Sequence, residues 1–150
     1  MWRVLSILLS MVAVLVLAQA AAGTDDSIRY CVDLIRGTNS DQPPQAGSMH
    51  AEPRLAGTFR GVFNWKNYWQ ICRRNVAVVP GRKTRVQLSN GREVEIDLTL
   101  QGKRTVESFR NGQLVSRITQ PLGQAMTLVG GPRDPDSAWF IMVRRDGFGE

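Results

Sequence analysis

Between residues 92 and 100 the chain alternates without a break. Val94, Ile96, Leu98 and Leu100 are apolar, while Glu93, Glu95, Asp97 and Thr99 are polar. A period of two belongs to a strand with one buried face. Residues 28–38 repeat the pattern, with Ile28, Tyr30, Val32 and Leu34 on one side. Segments 68–79, 83–88, 103–110, 113–120, 125–129 and 137–145 also read as strands, the first as one long strand or two short ones. Turn residues separate them at Pro80-Gly81, Asn90-Gly91, Gln101-Gly102, Asn111-Gly112, Pro121-Leu122-Gly123 and 130–135. One segment breaks the pattern: Leu55, Phe59 and Phe63 recur every four residues, with Pro53 at the start. That stripe predicts one short helix over 53–63, weakened by Gly57 and Gly61. The expected fold is mainly β, an antiparallel β-sandwich or barrel-like sheet of seven to eight strands with that single helix.

Turn chemistry carries the expectation to register. A two-residue turn at Asn111-Gly112 sets Phe109 against Leu114 and Thr105 against Ile118. A two-residue loop at Gln101-Gly102 sets Val94 against Phe109 and Leu98 against Thr105, but also Ile96 against the carboxylate of Glu107. At Asn90-Gly91 a bulge or longer loop is expected, because it aligns Leu88 with Val94 and Val86 with Ile96. The meander over 83–120 is the clearest part of the pattern.

The first 22 residues stand apart. Met1, Trp2 and Arg3 precede an apolar run over 4–18, and Ala18, Ala20 and Ala22 form small-residue boxes. This is a secretory leader, with cleavage expected after Ala20 or Ala22. The alternative is an uncleaved N-terminal membrane anchor, since residues 4–22 could just span a bilayer. Residues 23–150 then form one β-rich domain with a polar loop at about 39–52, marked by Pro43-Pro44 and Gly47. The protein is expected to be exported, periplasmic or secreted.

Export changes what the charge means. The chain holds 19 Lys and Arg against 13 Asp and Glu, a net charge of +6. The cations are scattered in pairs at most, as in Arg73-Arg74 and Arg144-Arg145, and no zinc-finger, RNP or GxxG signature accompanies them. Nucleic acid is therefore not the expected partner; a weak affinity for anionic envelope surfaces is.

Cys31 and Cys72 are the two cysteines, each in an expected strand. In an oxidising compartment they suggest a disulfide, which would stabilise by about 4 kcal/mol in the chain-entropy picture. Two buried free thiols are the alternative.

Catalytic chemistry finds little support. His50 is the single histidine and lies in the polar loop, so a Ser or Cys nucleophile has only that imidazole as a base. Glu93, Glu95 and Asp97 share one strand face and could hold a hard cation, but a solvated face paired with Arg110 and Arg117 fits better. No metal site and no cofactor is expected.

Five aromatics fall within residues 59–69: Phe59, Phe63, Trp65, Tyr68 and Trp69, with Arg60 and Lys66 between them. Phe59, Phe63 and Trp69 suit a core. Trp65 and Tyr68, beside Asn64, Lys66 and Asn67, suit a binding surface together with Arg60 and Lys66.

The stretches Val32-Asp33-Leu34-Ile35-Arg36-Gly37-Thr38-Asn39, Phe63-Asn64-Trp65-Lys66-Asn67-Tyr68 and Ala138-Trp139-Phe140-Ile141 resemble small exported bacterial proteins of unassigned function. The resemblance implies a leader followed by one β-rich domain, and no catalytic residues. The functional expectation is a non-catalytic binding or structural module of the cell envelope, its partner an envelope protein or polysaccharide. The alternative is a small envelope enzyme or carbohydrate-binding domain using the aromatic segment 59–69.

Overall fold

The computed structural model describes residues 26–147, so the leader and its cleavage site lie outside the described residues. The elements run β1 (Ile28–Thr38), β2 (Met49–His50), α1 (Pro53–Arg60), β3 (Asn67–Val78), β4 (Lys83–Ser89) and β5 (Arg92–Asp97). They continue with β6 (Lys103–Arg110), β7 (Gln113–Pro121), β8 (Met126–Asp134) and β9 (Ser137–Arg145). The strands form two antiparallel sheets, one ordered β2-β3-β1-β9-β8 and the other β4-β5-β6-β7. The sandwich reading holds. The ninth strand is the two-residue β2, inside the segment expected to be loop.

Three layers result: α1, the five-stranded sheet and the four-stranded sheet. The first core lies between the sheets, where Tyr30, Val32 and Leu34 of β1 meet Val94 and Ile96 of β5 and Val106 of β6. The second lies under the helix, where Leu55, Ala56 and Phe59 pack with Ile35, Tyr68, Phe140 and Met142. Strand β1 is thus buried on both faces over Val32–Ile35, which explains its near-continuous apolar run. Helix α1 ends at Arg60, three residues earlier than the stripe suggested. The chain then folds back, with the Phe63 amide donating to the Phe59 carbonyl at 2.7 Å, and Phe63 still reaches Phe140 at 4.5 Å between ring centres.

The meander forms with a different register. The two-residue turn at Gln101-Gly102 is present, with the Lys103 amide donating to the Leu100 carbonyl. The ladder beside it runs one residue out of the register that turn alone would set, so Ile96 faces Val106 and Glu95 faces Glu107. A one-residue slip exchanges the two faces of a strand. It carries Glu107 out of the core, where it would have stood unpaired, and brings Val106 in. Phe109 moves outward in the same step, beside Glu93 rather than Val94, and the Arg85 guanidinium covers its ring at 3.7 Å. Beyond the Asn111-Gly112 turn Phe109 does face Leu114, but a shift between Ser108 and Phe109 then places Thr105 opposite Thr119 and not Ile118. The bulge expected near Asn90-Gly91 is present between Gln87 and Ser89, yet it aligns Val86 with Val94 rather than Ile96.

Candidate functional site

The aromatic segment does not form a surface. Trp65 is 8% exposed and Tyr68 2% exposed, and both belong to the core beneath α1. The Tyr68 ring stacks on Phe59 at 5.3 Å, and its hydroxyl donates to the Phe63 carbonyl at 2.8 Å. Burial pushes the Tyr68 phenol up from its ordinary range. Arg60 and Lys66 are exposed. Lys66 pairs with Asp41 at 2.7 Å, and that hydrogen bond holds the Asp41 carboxyl below its usual range. The four residues proposed from sequence are therefore split, the aromatic pair inside and the cations outside. Their local polarity misled: Asn67 turns away to bond the Ser40 carbonyl and Asp41, tying the polar loop down while Trp65 and Tyr68 go under it.

The carboxylate face of β5 is a charge ladder. Cross-strand pairing lines up Arg85, Glu95, Glu107 and Arg117 over four strands. Arg85 and Lys83 bind Glu95 at 3.1 and 3.3 Å, and Arg117 binds Glu107. Asp97 accepts from the Thr99 hydroxyl and amide, the hydroxyl bond being the larger cause of its lowered pKa. Arg85 and Lys83 take the place expected of Arg110, which pairs in register with Arg92 and Gln113 instead. Among the described residues no group of His, Cys, Asp and Glu is placed to hold a metal ion.

Cys31 and Cys72 are free thiols, so the disulfide expected from export is not formed. The register explains it. Cys72 stands opposite Leu34 and packs against the core between the sheets. Cys31 stands opposite Asn75 on the other face, beside Asp33 and Arg144. One sheet separates the two sulfurs, and burial raises both thiols above their ordinary 9.0.

The site that sequence reading missed lies on that second face. Strand β1 has 11 residues and runs roughly 36 Å at strand rise, whereas the 8-residue α1 spans only about 12 Å. The helix covers the end of the sheet around Ile35 and Phe140 and leaves the other end open. A cleft of about 660 Å³ occupies the open part, lined by Glu52, Arg54 and Thr58 from the helix side and by Cys31, Arg73, Asn75, Arg144, Arg145 and Asp146 from the strands. Asp33, fully buried, anchors its floor. One carboxylate oxygen accepts from Arg73 Nε at 2.7 Å and the other from Arg144 Nη2 at 2.9 Å. Arg73 Nη1 reaches the exposed Glu52 at 2.9 Å, and these bonds, Asp33 first, raise the Arg73 pKa still further.

The cross-strand logic is simple. Asp33 pairs with Arg73 on β3 and with Met142 on β9, one pleat from Arg144, so two cations flank one acid. A carboxylate inside Val32-Asp33-Leu34-Ile35 was the available signal, since a buried acid needs cations close by. No family model matches this sequence, and neither a curated protein nor a solved structure matches it.

Proposed function

We propose that this protein is an exported, non-catalytic binding module of the cell envelope, and that the arginine-lined cleft beside α1 is its ligand site. Export rests on the leader pattern of residues 1–22. Binding rests on the cleft, which has the volume of a small-molecule site and walls supplied by four guanidiniums. Its side chains are suited to holding rather than to transforming. The Cys31 thiol is kept protonated by burial, and His50 lies away from the cleft, stacked on Trp69 at 4.0 Å. A nucleophile without an adjacent base is weak. The test is calorimetric titration of the purified protein with fractions of its own envelope, followed by mass spectrometry of the bound component. The expected result is saturation near one equivalent, with the component recovered unchanged. A component converted by catalytic amounts of protein would favour an enzyme instead.

A further inference from the structure

The ligand class can be inferred from two features of the cleft, an inference that rests on the cleft being the ligand site. The first is preorganisation. Asp33 is buried completely and holds Arg73 and Arg144 by charge-assisted bonds of 2.7 and 2.9 Å, so both guanidiniums are fixed before any ligand arrives. Immobilising long side chains is a large cost of binding charged groups, and here folding has already met it. The second is charge. Arg54, Arg73, Arg144 and Arg145 line the cleft beside the carboxylates of Glu52 and Asp146, with Asp33 bound beneath Arg73 and Arg144. Thr58 and Asn75 add a hydroxyl and an amide to the walls.

Glu52 points to the chemistry of the guest. It is the residue preceding α1, where a side chain commonly caps the helix, yet its side chain makes no capping bond. Its carboxylate, half exposed, lies instead on Arg73 Nη1 at 2.9 Å. An exposed carboxylate on a fixed guanidinium is easily exchanged for a stronger oxyanion. The cations come from the helix side, β3 and β9 and so surround the space instead of forming one fork. A planar carboxylate is satisfied by one fork, whereas a tetrahedral dianion can accept from several donors around it.

We propose that the cleft binds a phosphate group, carried by a soluble ester or by a lipid headgroup, and that Glu52 holds the place of one phosphate oxygen on Arg73. Asp33 is a positioning residue for the two guanidiniums. Both sources enter the test because a soluble ester and a lipid headgroup present the same phosphate to the cleft.

The experiment titrates the purified protein with inorganic phosphate, glycerol phosphate and acetate. It is repeated with vesicles of phosphatidylglycerol and of phosphatidylcholine. Replacing Arg73 endangers the fold through Asp33, so the variants are Glu52→Gln and Arg54→Gln, both at exposed positions. Glycerol phosphate should bind saturably and acetate should not. Glu52→Gln should tighten that binding about fivefold and Arg54→Gln should weaken it by a similar factor, the scale of one partly exposed ion pair. Vesicle binding that glycerol phosphate competes away seats the lipid headgroup in the cleft; vesicle binding that it leaves untouched lies on another surface, and the cleft's ligand is then the soluble ester. Acetate binding as tightly as phosphate, or an unchanged affinity in Glu52→Gln, overturns the proposal. If no phosphate probe binds while an envelope fraction still saturates the protein, the ligand class is wrong and the binding module stands.

Discussion

The indole of Trp65 lies directly on the backbone of Gly37: a Cβ built at position 37 would come within 2.6 Å of Trp65 Cδ1 and 2.7 Å of Cγ. Gly37 is a buried strand position, opposite Tyr68 on one side and Ala138 on the other. Its missing side chain is what lets the ring seal the core beneath α1. Alanine normally strengthens a strand relative to glycine by roughly 0.5–1 kcal/mol, so strain must exceed that gain to show. Gly37→Ala should nonetheless destabilise by about 2 kcal/mol, the usual scale of overpacking. Chemical denaturation measures it, and an unchanged midpoint would mean the indole can leave β1 freely.

The same core predicts how the aromatic segment responds to truncation. Phe59→Ala, Trp65→Ala and Tyr68→Ala should each lose roughly 3–5 kcal/mol, because all three rings are buried together. Val62, in the same segment but 71% exposed, should tolerate alanine within about 0.5 kcal/mol. Parallel melting curves decide this. A Trp65→Ala protein that melts like Val62→Ala would place the indole outside the core.

Strand β6 shows how far the pattern reaches. Its sequence Arg104-Thr105-Val106-Glu107-Ser108-Phe109 puts one cation and Val106 on one face, one acid and Phe109 on the other. Hydrophobic alternation therefore does not choose between the faces. The choice is made by the one-residue offset of the β5–β6 ladder beside the Gln101-Gly102 turn and by Arg85, which covers the outward Phe109 from β4. Neither is written in the alternation. Elsewhere local alternation and Gly-containing turns located the long strands, because one-sided burial leaves its period in the sequence. The cleft was illegible for the opposite reason. Asp33 meets Arg73 and Arg144 across 40 and 111 residues of chain, and each cation reads locally as one of a scattered pair. The sheet order that joins them puts β1 between β3 and β9.

The two thiols give a chemical check with a pH signature. Labelling of the denatured, non-reduced protein should modify two thiols per chain, as the free cysteines require. In the folded protein both should react more slowly, since burial raises each above 9.0 and reduces the reactive thiolate. The linkage has a definite sign. A thiol whose folded pKa is raised binds its proton more tightly folded than unfolded, so stability is unaffected well below pH 9 and falls as pH rises past it. Replacing both cysteines by alanine should flatten that alkaline decline. Recovery of fewer than two thiols without reductant would restore the disulfide.

Arg104 is the least expected member of the core. It is fully buried between the sheets, and its bonds go to neutral groups: Thr127 Oγ1 at 2.8 and 3.2 Å and the Gln124 carbonyl at 3.1 Å. Its guanidinium stands 5.3 Å from the centre of the Tyr30 ring, and Nη1 finds no hydrogen-bond partner among the described residues. A cation in this position pays a desolvation cost that neutral acceptors only partly offset. Thr127 retains its bond to Gln120 at 2.6 Å without Arg104, so little else depends on the charge. Arg104→Met, which keeps the length of the stem and drops the charge, should be neutral or stabilise by roughly 1–4 kcal/mol, as replacements of buried ions often do. Arg104→Ala removes the stem as well and should fall below the Met variant by about 2–3 kcal/mol through the cavity it leaves. Denaturant unfolding of the two variants beside the parent protein separates charge from volume. If Met and Ala lose stability equally, the guanidinium itself holds the sandwich together at this point, and its bond to the Gln124 carbonyl at the β7–β8 turn outweighs its desolvation.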